Sequence, residues 1–292
     1  MKIDDIKQVG VVGAGQMGTG IAQVLATAGW TVLLVDVADA ALDQALRRLR
    51  AGLDKAVEKG TLSRNQAGGI MSLIRPITQL ARLRQADVVV EAVPEDLGMK
   101  TQVFAQLDRL CPPRTVLASN TSSIAITKLG SASGRADRVV GLHFMNPVPV
   151  MRLVEVVKGI ETSDETVQLA LDIVTRLGKT PVVCPDTPGF IVNRVLMPMI
   201  NEAIFLFEET GNRGLTPESI DLAMTEGTNQ PVGPLALADR IGLDTVLAIL
   251  NVLHEDLGDP KFRACPLLRK YVEAGWLGRK TGRGFYSYEA RG

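Results

Sequence analysis

Gly13-Ala14-Gly15-Gln16-Met17-Gly18 constrains the fold more than any other stretch, because of what stands on either side of it. A run of strand-forming residues, Gln8-Val9-Gly10-Val11-Val12, leads in, and an apolar helical pattern beginning at Met17 leads out. A second strand pattern then ends in Asp36, 18 residues after Gly18. A GxGxxG hexamer alone is common in loops, and the bland reading is a glycine turn with Asp36 as a solvated strand end. Strand, turn, helix and acid in this order are what a dinucleotide needs. Gly13 permits the tight turn, Gly15 lets the backbone approach a pyrophosphate, and Gly18 lets the helix pack closely on the strand. The phosphates then sit on the free N–H groups and positive dipole end of the helix, beside Gln16 and Met17. Asp36 would accept hydrogen bonds from the adenosine ribose hydroxyls and repel a 2′-phosphate. The following Val37-Ala38-Asp39 offers no Arg or Lys to receive one. NAD is therefore favoured over NADP, with FAD the other ligand that uses this fingerprint.

The rest of the first half repeats the alternation. Strand patterns cover Thr31–Asp36, Asp87–Val93, Thr115–Asn120, Arg138–Phe144, Arg152–Val157 and Thr180–Cys184. Helical patterns cover Met17–Ala28, Ala40–Lys59 and Gly98–Leu110. Continuous Val/Leu/Ile runs suit strands buried on both faces of a parallel sheet, so the pattern predicts a doubly wound α/β domain over residues 1–185. Pro185-Asp186-Thr187-Pro188-Gly189 marks a junction. Beyond it the strand pattern stops and residues 186–292 read as all-α. Phe190–Glu209 forms a long helix with Pro198 as a kink point, and Thr216-Pro217-Glu218 opens another with Thr as N-cap and Pro at N1. Pro234–Leu257 is apolar with helical spacing.

Composition excludes several function classes. The 292 residues carry 32 basic and 32 acidic side chains, so no long-range field draws the chain to nucleic acid or an anionic membrane. No run of about 18 apolar residues predicts a membrane span, and the N-terminus lacks the apolar core of a signal peptide. Cys111, Cys184 and Cys265 show no metal-ligand spacing and no paired framework. A reducing, cytoplasmic setting is expected.

Two further groups of residues suggest chemistry. His143 ends a strand, and Glu155 lies 12 residues later inside the apolar run Leu153-Val154-Glu155-Val156-Val157. A carboxylate there is costly unless paired, and an imidazole on the neighbouring segment would be a natural partner that fixes the ring's tautomer. A structural histidine beside a paired core glutamate remains open as the bland reading. Asn120-Thr121-Ser122-Ser123 follows another strand, either as a polar site lining or as a helix-capping turn.

Taken together, these residues resemble the 3-hydroxyacyl-coenzyme A dehydrogenase family, and within it the free-standing 3-hydroxybutyryl-coenzyme A dehydrogenases. The likeness runs almost end to end. It rests on Val11–Gly18, Glu95-Asp96 with Lys100, Ser119–Ser123, Gly141–Pro147, Pro188–Arg194 and Lys280–Tyr286. The resemblance implies that His143 is the general base for the 3-hydroxyl, oriented by Glu155. It implies that Ser122 and Asn193 hydrogen-bond the reacting oxygen and thioester region, and that Glu95, Lys100 and Asn120 line the nicotinamide side of an NAD site. Catalysis would occur in a cleft between the domains. Lys55 and Lys59, spaced i, i+4 on one helix face, are expected contacts for coenzyme A phosphates, though a solvated basic face is the plain alternative. A homodimer built by the helical domain is also implied. Met145 and Arg152 depart from the residues often found in the family, without removing a catalytic group. Two rivals stand. One is a dehydrogenase of free β-hydroxyacids, which would place a catalytic lysine where this chain has Asn193-Arg194. The other is a non-catalytic relative that kept the fold.

Overall fold

The computed structural model describes residues 1–210 and 214–288. The chain divides into two compact units, Met1–Thr187 and Pro188–Gly292, each with its own apolar core.

The first unit is built on an eight-stranded sheet in the order β3-β2-β1-β4-β5-β6-β7-β8. The strands are β1 Gln8–Val12, β2 Thr31–Val35, β3 Ile74–Ile77, β4 Val88–Glu91, β5 Val116–Ser119, β6 Val139–Phe144, β7 Leu153–Lys158 and β8 Thr180–Pro185. The first six pair in parallel. Their Val/Leu/Ile runs are buried because helices cover the sheet faces: α1 Gln16–Thr27, α2 Asp39–Glu58, α3 Arg64–Leu73, α4 Leu97–Leu110, α5 Ile126–Ala132 and α6 Asp164–Arg176. The expected doubly wound plan is present, with one correction. β7 runs antiparallel to β6, and β8 follows β7 in parallel, so the last two strands reverse the sheet. No residue type announces that reversal; it follows from the short Met145–Arg152 connection, which is long enough to turn back but too short for a crossover helix.

The sequence pattern does not predict β3. Its Ile-Arg-Pro-Ile carries a proline and an arginine, which suppress a strand signal, and it lies at the sheet edge, where a proline costs no ladder bond. The predicted strand and helix ends otherwise shift by one to a few residues.

The second unit is helical: α7 Val192–Thr210, α8 Pro217–Thr228, α9 Pro234–Ile241, α10 Leu243–Leu257 and α11 Pro266–Glu273. Thr216 caps α8 through Ser219 N–H with Pro217 in its first turn, as read from the sequence. Two expectations need correcting. The helix expected from Phe190 begins at Val192, because Gly189 and Phe190 both take left-handed backbone (φ 74° and 51°). The apolar stretch Pro234–Leu257 is two helices, since Gly242 at φ 102° cannot continue α9. The C-terminal segment is fastened by two buried carboxylates. Asp239 accepts from Phe285 N–H, Tyr286 N–H and the Tyr288 hydroxyl, and Asp221 from the Tyr286 hydroxyl and the first N–H groups of α9.

Candidate active site

The carboxyl ends of β1, β4, β5 and β6 lie along one edge of the sheet, where doubly wound folds place ligands. The β1 end carries the glycine loop. Gly13 has φ 105° and sits against the Ala92 backbone. A Cβ on Gly18 would overlap the Gly13 carbonyl oxygen, so helix and turn close on each other only with glycine there. Gly15 differs: a Cβ there would meet no protein atom within 4 Å. The space it would fill is where a pyrophosphate must approach the backbone. α1 starts at Gln16 and has no acid in its first turn, so its dipole and N–H groups are available to an anion. These features fit a dinucleotide.

Asp36 directly follows β2 and reaches the same loop. Its Oδ2 accepts from Ala14 N–H at 2.8 Å, and Oδ1 accepts from Ala38 N–H at 3.2 Å. Gln16 Nε2 donates to Asn146 Oδ1 at 3.1 Å, joining the glycine loop to the segment that follows β6. That segment also packs on α1, where Gly20 leaves room for Val148, and Lys179 donates to the Val148 and Met151 carbonyls at 2.6 and 2.7 Å.

The ends of β4 and β5 hold a connected polar ring. Glu91, fully buried at the end of β4, accepts from Val93 N–H and Lys100 Nζ, both at 2.7 Å, and from Ser119 Oγ at 2.6 Å. Ser119 Oγ accepts from Thr121 N–H at 3.1 Å. Thr121 Oγ1 donates to Glu95 Oε1 at 2.6 Å, and the other Glu95 oxygen lies 3.4 Å from Lys100 Nζ, closing the ring. Glu95 Oε1 also receives the N–H and hydroxyl groups of Ser122 and Ser123 at 2.8–3.2 Å. Partial burial pushes the Glu95 carboxyl up, but the Lys100 charge and these donors outweigh it and hold it below its ordinary value. The Ser122-Ser123 turn is therefore shaped by an anion. Asn120 Oδ1 accepts from Phe144 N–H at 3.0 Å, tying this turn to the residue beside His143.

Lys100 stands differently from the expected site lining. It is 1% exposed and bound to Glu91, so it lies beneath the loop surface and supports it. Glu91 was missed in the sequence. The signal was present: an acid closing the apolar run Val88-Val89-Val90 is as costly as Glu155 and demands a partner just as strongly.

β6 and β7 bring the remaining pair together. His143 and Glu155 are direct partners in the antiparallel register, so both side chains leave the same face. Nδ1 lies 2.6 Å from Glu155 Oε2, with His143 at 7% exposure and Glu155 at 0%. A carboxylate oxygen only accepts, so Nδ1–H donates to Glu155 and the ring's tautomer is fixed.

The remaining expected residues, Lys55, Lys59 and Asn193, lie on helices or at their ends. Lys55 and Lys59 are exposed at the end of α2. A groove of about 570 Å³ between α2 and α3 is lined by Arg50, Leu53, Asp54, Val57, Arg64 and Met71 among others, and does not include them. Asn193 belongs to the second unit, buried in the first turn of α7. Among the described residues no group of His, Cys, Asp and Glu could hold a metal ion, and no helix is long and apolar enough to cross a membrane.

Comparison with known proteins agrees with this geometry. The sequence profile described as 3-hydroxyacyl-CoA dehydrogenase, NAD binding domain, matches residues 8–187, and that of the family's C-terminal domain matches 189–288. A probable 3-hydroxybutyryl-CoA dehydrogenase of Bacillus subtilis is 52% identical over 98% of this chain and 99% of its own length. The 3-hydroxybutyryl-CoA dehydrogenase of Bradyrhizobium diazoefficiens is 49% identical over 97% of this chain and 96% of its own. The crystal structure of an (S)-3-hydroxybutyryl-CoA dehydrogenase from Ralstonia eutropha superposes with a TM-score of 0.92 at 45% identity, covering 98% of this chain and 100% of that one.

Proposed function

The chain belongs to the 3-hydroxyacyl-coenzyme A dehydrogenase family of NAD-dependent enzymes, and we propose that its substrate pair is (S)-3-hydroxybutyryl-coenzyme A and acetoacetyl-coenzyme A. The observation that carries the reaction is the His143–Glu155 pair, held at 2.6 Å on the sheet that also carries the glycine loop. The choice of a four-carbon acyl chain follows the relatives named above.

NAD, when bound, supplies the acceptor for the hydride that leaves C3. The protein's part is the proton. His143 Nε2 takes the 3-hydroxyl proton in the oxidative direction and returns it in the reductive one. Glu155 keeps Nδ1 protonated and stabilises the imidazolium that forms, so both electrons leave as hydride and the proton stays on the ring. General base catalysis of this kind contributes roughly 10²- to 10⁴-fold. Glu95, buttressed by Lys100, holds the Ser122-Ser123 turn, and we assign Ser122 to the reacting oxygen. Asn193 is assigned to the thioester region on the strength of its motif, and Lys55 and Lys59 to coenzyme A phosphates. We further assign the chain to the cytoplasm, which its three free cysteines support. We assign dimerisation to the helical unit, where Val195 and Leu222 are 69% and 62% exposed.

The test is NADH oxidation with acetoacetyl-coenzyme A, free acetoacetate and a longer 3-oxoacyl-coenzyme A in parallel. Turnover is expected with the four-carbon thioester and to fall by about 10²-fold or more in His143→Ala, with NADH binding retained. Turnover on free acetoacetate would replace this reading with a β-hydroxyacid dehydrogenase.

A further inference from the structure

Beyond Asp36, the residues following β2 in sequence provide nothing basic to meet the adenosine end of the cofactor. The fold supplies a cation from elsewhere. α2 buries a stripe formed by Leu42, Ala45, Leu49 and Leu53. Arg48 is one helical turn beyond Ala45 and adjacent to Leu49, at the edge of that stripe, and its side chain reaches back over the glycine loop. Its Nη2 donates to the Ala14 carbonyl oxygen at 2.9 Å. The N–H of the same residue donates to Asp36 Oδ2 at 2.8 Å. Ala14 itself is fully buried. An acid and a base thus grip the two polar atoms of one loop residue.

We propose that Arg48 is a cofactor-binding residue, and that Asp36 and Arg48 together set the preference between NAD and NADP. The inference rests on the NAD reading above. One guanidinium carries five N–H donors in a planar fork, and the Ala14 carbonyl engages one of them. The same fork places a permanent positive charge beside the loop that receives the phosphates. With Asp36 ionised, its carboxylate accepts ribose hydroxyls and rejects a 2′-phosphate, so the Arg48 charge serves the pyrophosphate side and holds the loop. With Asp36 neutralised, the repulsion is removed and Arg48 becomes the counter-ion for a 2′-phosphate. The discrimination is therefore a balance between two residues 12 positions apart in sequence.

The test is direct binding of NADH and NADPH, by nucleotide fluorescence or calorimetry without any acyl substrate, to the wild-type protein and to D36N, R48Q, R48K and D36N/R48Q. Thermal unfolding of each variant without nucleotide reports whether it is folded. D36N is expected to improve NADPH relative to NADH by about tenfold or more, the size of one charge-assisted contact. R48Q is expected to weaken NADH several-fold, with R48K recovering part of the loss. The double variant is expected to lose most of the NADPH gain. A double variant that keeps the gain, or an R48Q that binds both nucleotides like the wild type, overturns the role of Arg48. A wild-type protein that binds neither nucleotide overturns instead the NAD reading beneath it.

Discussion

At the scale of single residues, the candidate site is organised by carboxylates that must be paired. Lys100 is the sharpest case. Removing one member of a buried ion pair leaves the other charge uncompensated and costs roughly 3–5 kcal/mol. Lys100→Met is therefore expected to lower unfolding stability in urea by about that amount, and a loss under about 1 kcal/mol would show that Glu91 does not depend on it. Glu95 makes a pH prediction. Its folded value lies below the ordinary one of 4.5, so its hold on the Ser122-Ser123 turn is complete above that pH and is lost as pH falls through the depressed folded value. Amide exchange in residues 121–124, corrected for intrinsic rates, is expected to stay slow at pH 5 and to rise in more acid solution. Glu95→Gln should exchange fast at both, and a pH-independent wild type would exclude the carboxylate. The same pairing rule explains what the sequence revealed. An acid inside an apolar run identified Glu155, and applied evenly it would have identified Glu91. Arg48 had no such signal, because its partner is a backbone carbonyl 34 residues away.

At the scale of elements, the segment after His143 is positioned by main-chain and packing contacts that no motif records. Gly20 on α1 faces Val148, and a Cβ there would come within 2.8 Å of it. Gly20→Ala is expected to destabilise the first unit by about 1–3 kcal/mol, as overpacking does, and to lower turnover beyond what the stability loss explains. An unchanged denaturation midpoint would show that the segment moves aside freely. Element recognition from sequence worked wherever periodicity was strong, as in β1, β4, β6, α1 and α2. It failed at β3, where an edge position tolerates Pro and Arg, and at Gly242, where apolar spacing continues across a chain break in direction. α3, α5 and α6 went unread because their patterns are short or lie between stronger ones. Periodicity also says nothing about strand direction, so the reversal at β7 became visible only in three dimensions.

At the scale of the whole molecule, the fold class and the chemistry were legible because one glycine loop and one strand-end histidine sit in a complete α/β frame. The three cysteines carry a prediction of their own. Burial pushes Cys111 up to about 11, and Cys184 and Cys265 up to about 12, with Glu155 and Asp186 adding to Cys184 and a bond to Glu208 adding to Cys265. Thiolate is the reactive form, so the native protein at neutral pH is expected to resist a thiol-specific reagent and to release all three thiols only on unfolding. Rapid native labelling would show that one of these sites opens. The antiparallel step from β6 to β7 has a final consequence. Side chains alternate between sheet faces with a period of two, so His143 and Glu155 meet only while their strands stay in phase. Inserting or deleting one residue inside either strand would send the two to opposite faces, whereas a change of length between residues 145 and 152 would leave their pairing intact. The His143–Glu155 pair is thus a parity check on the sheet.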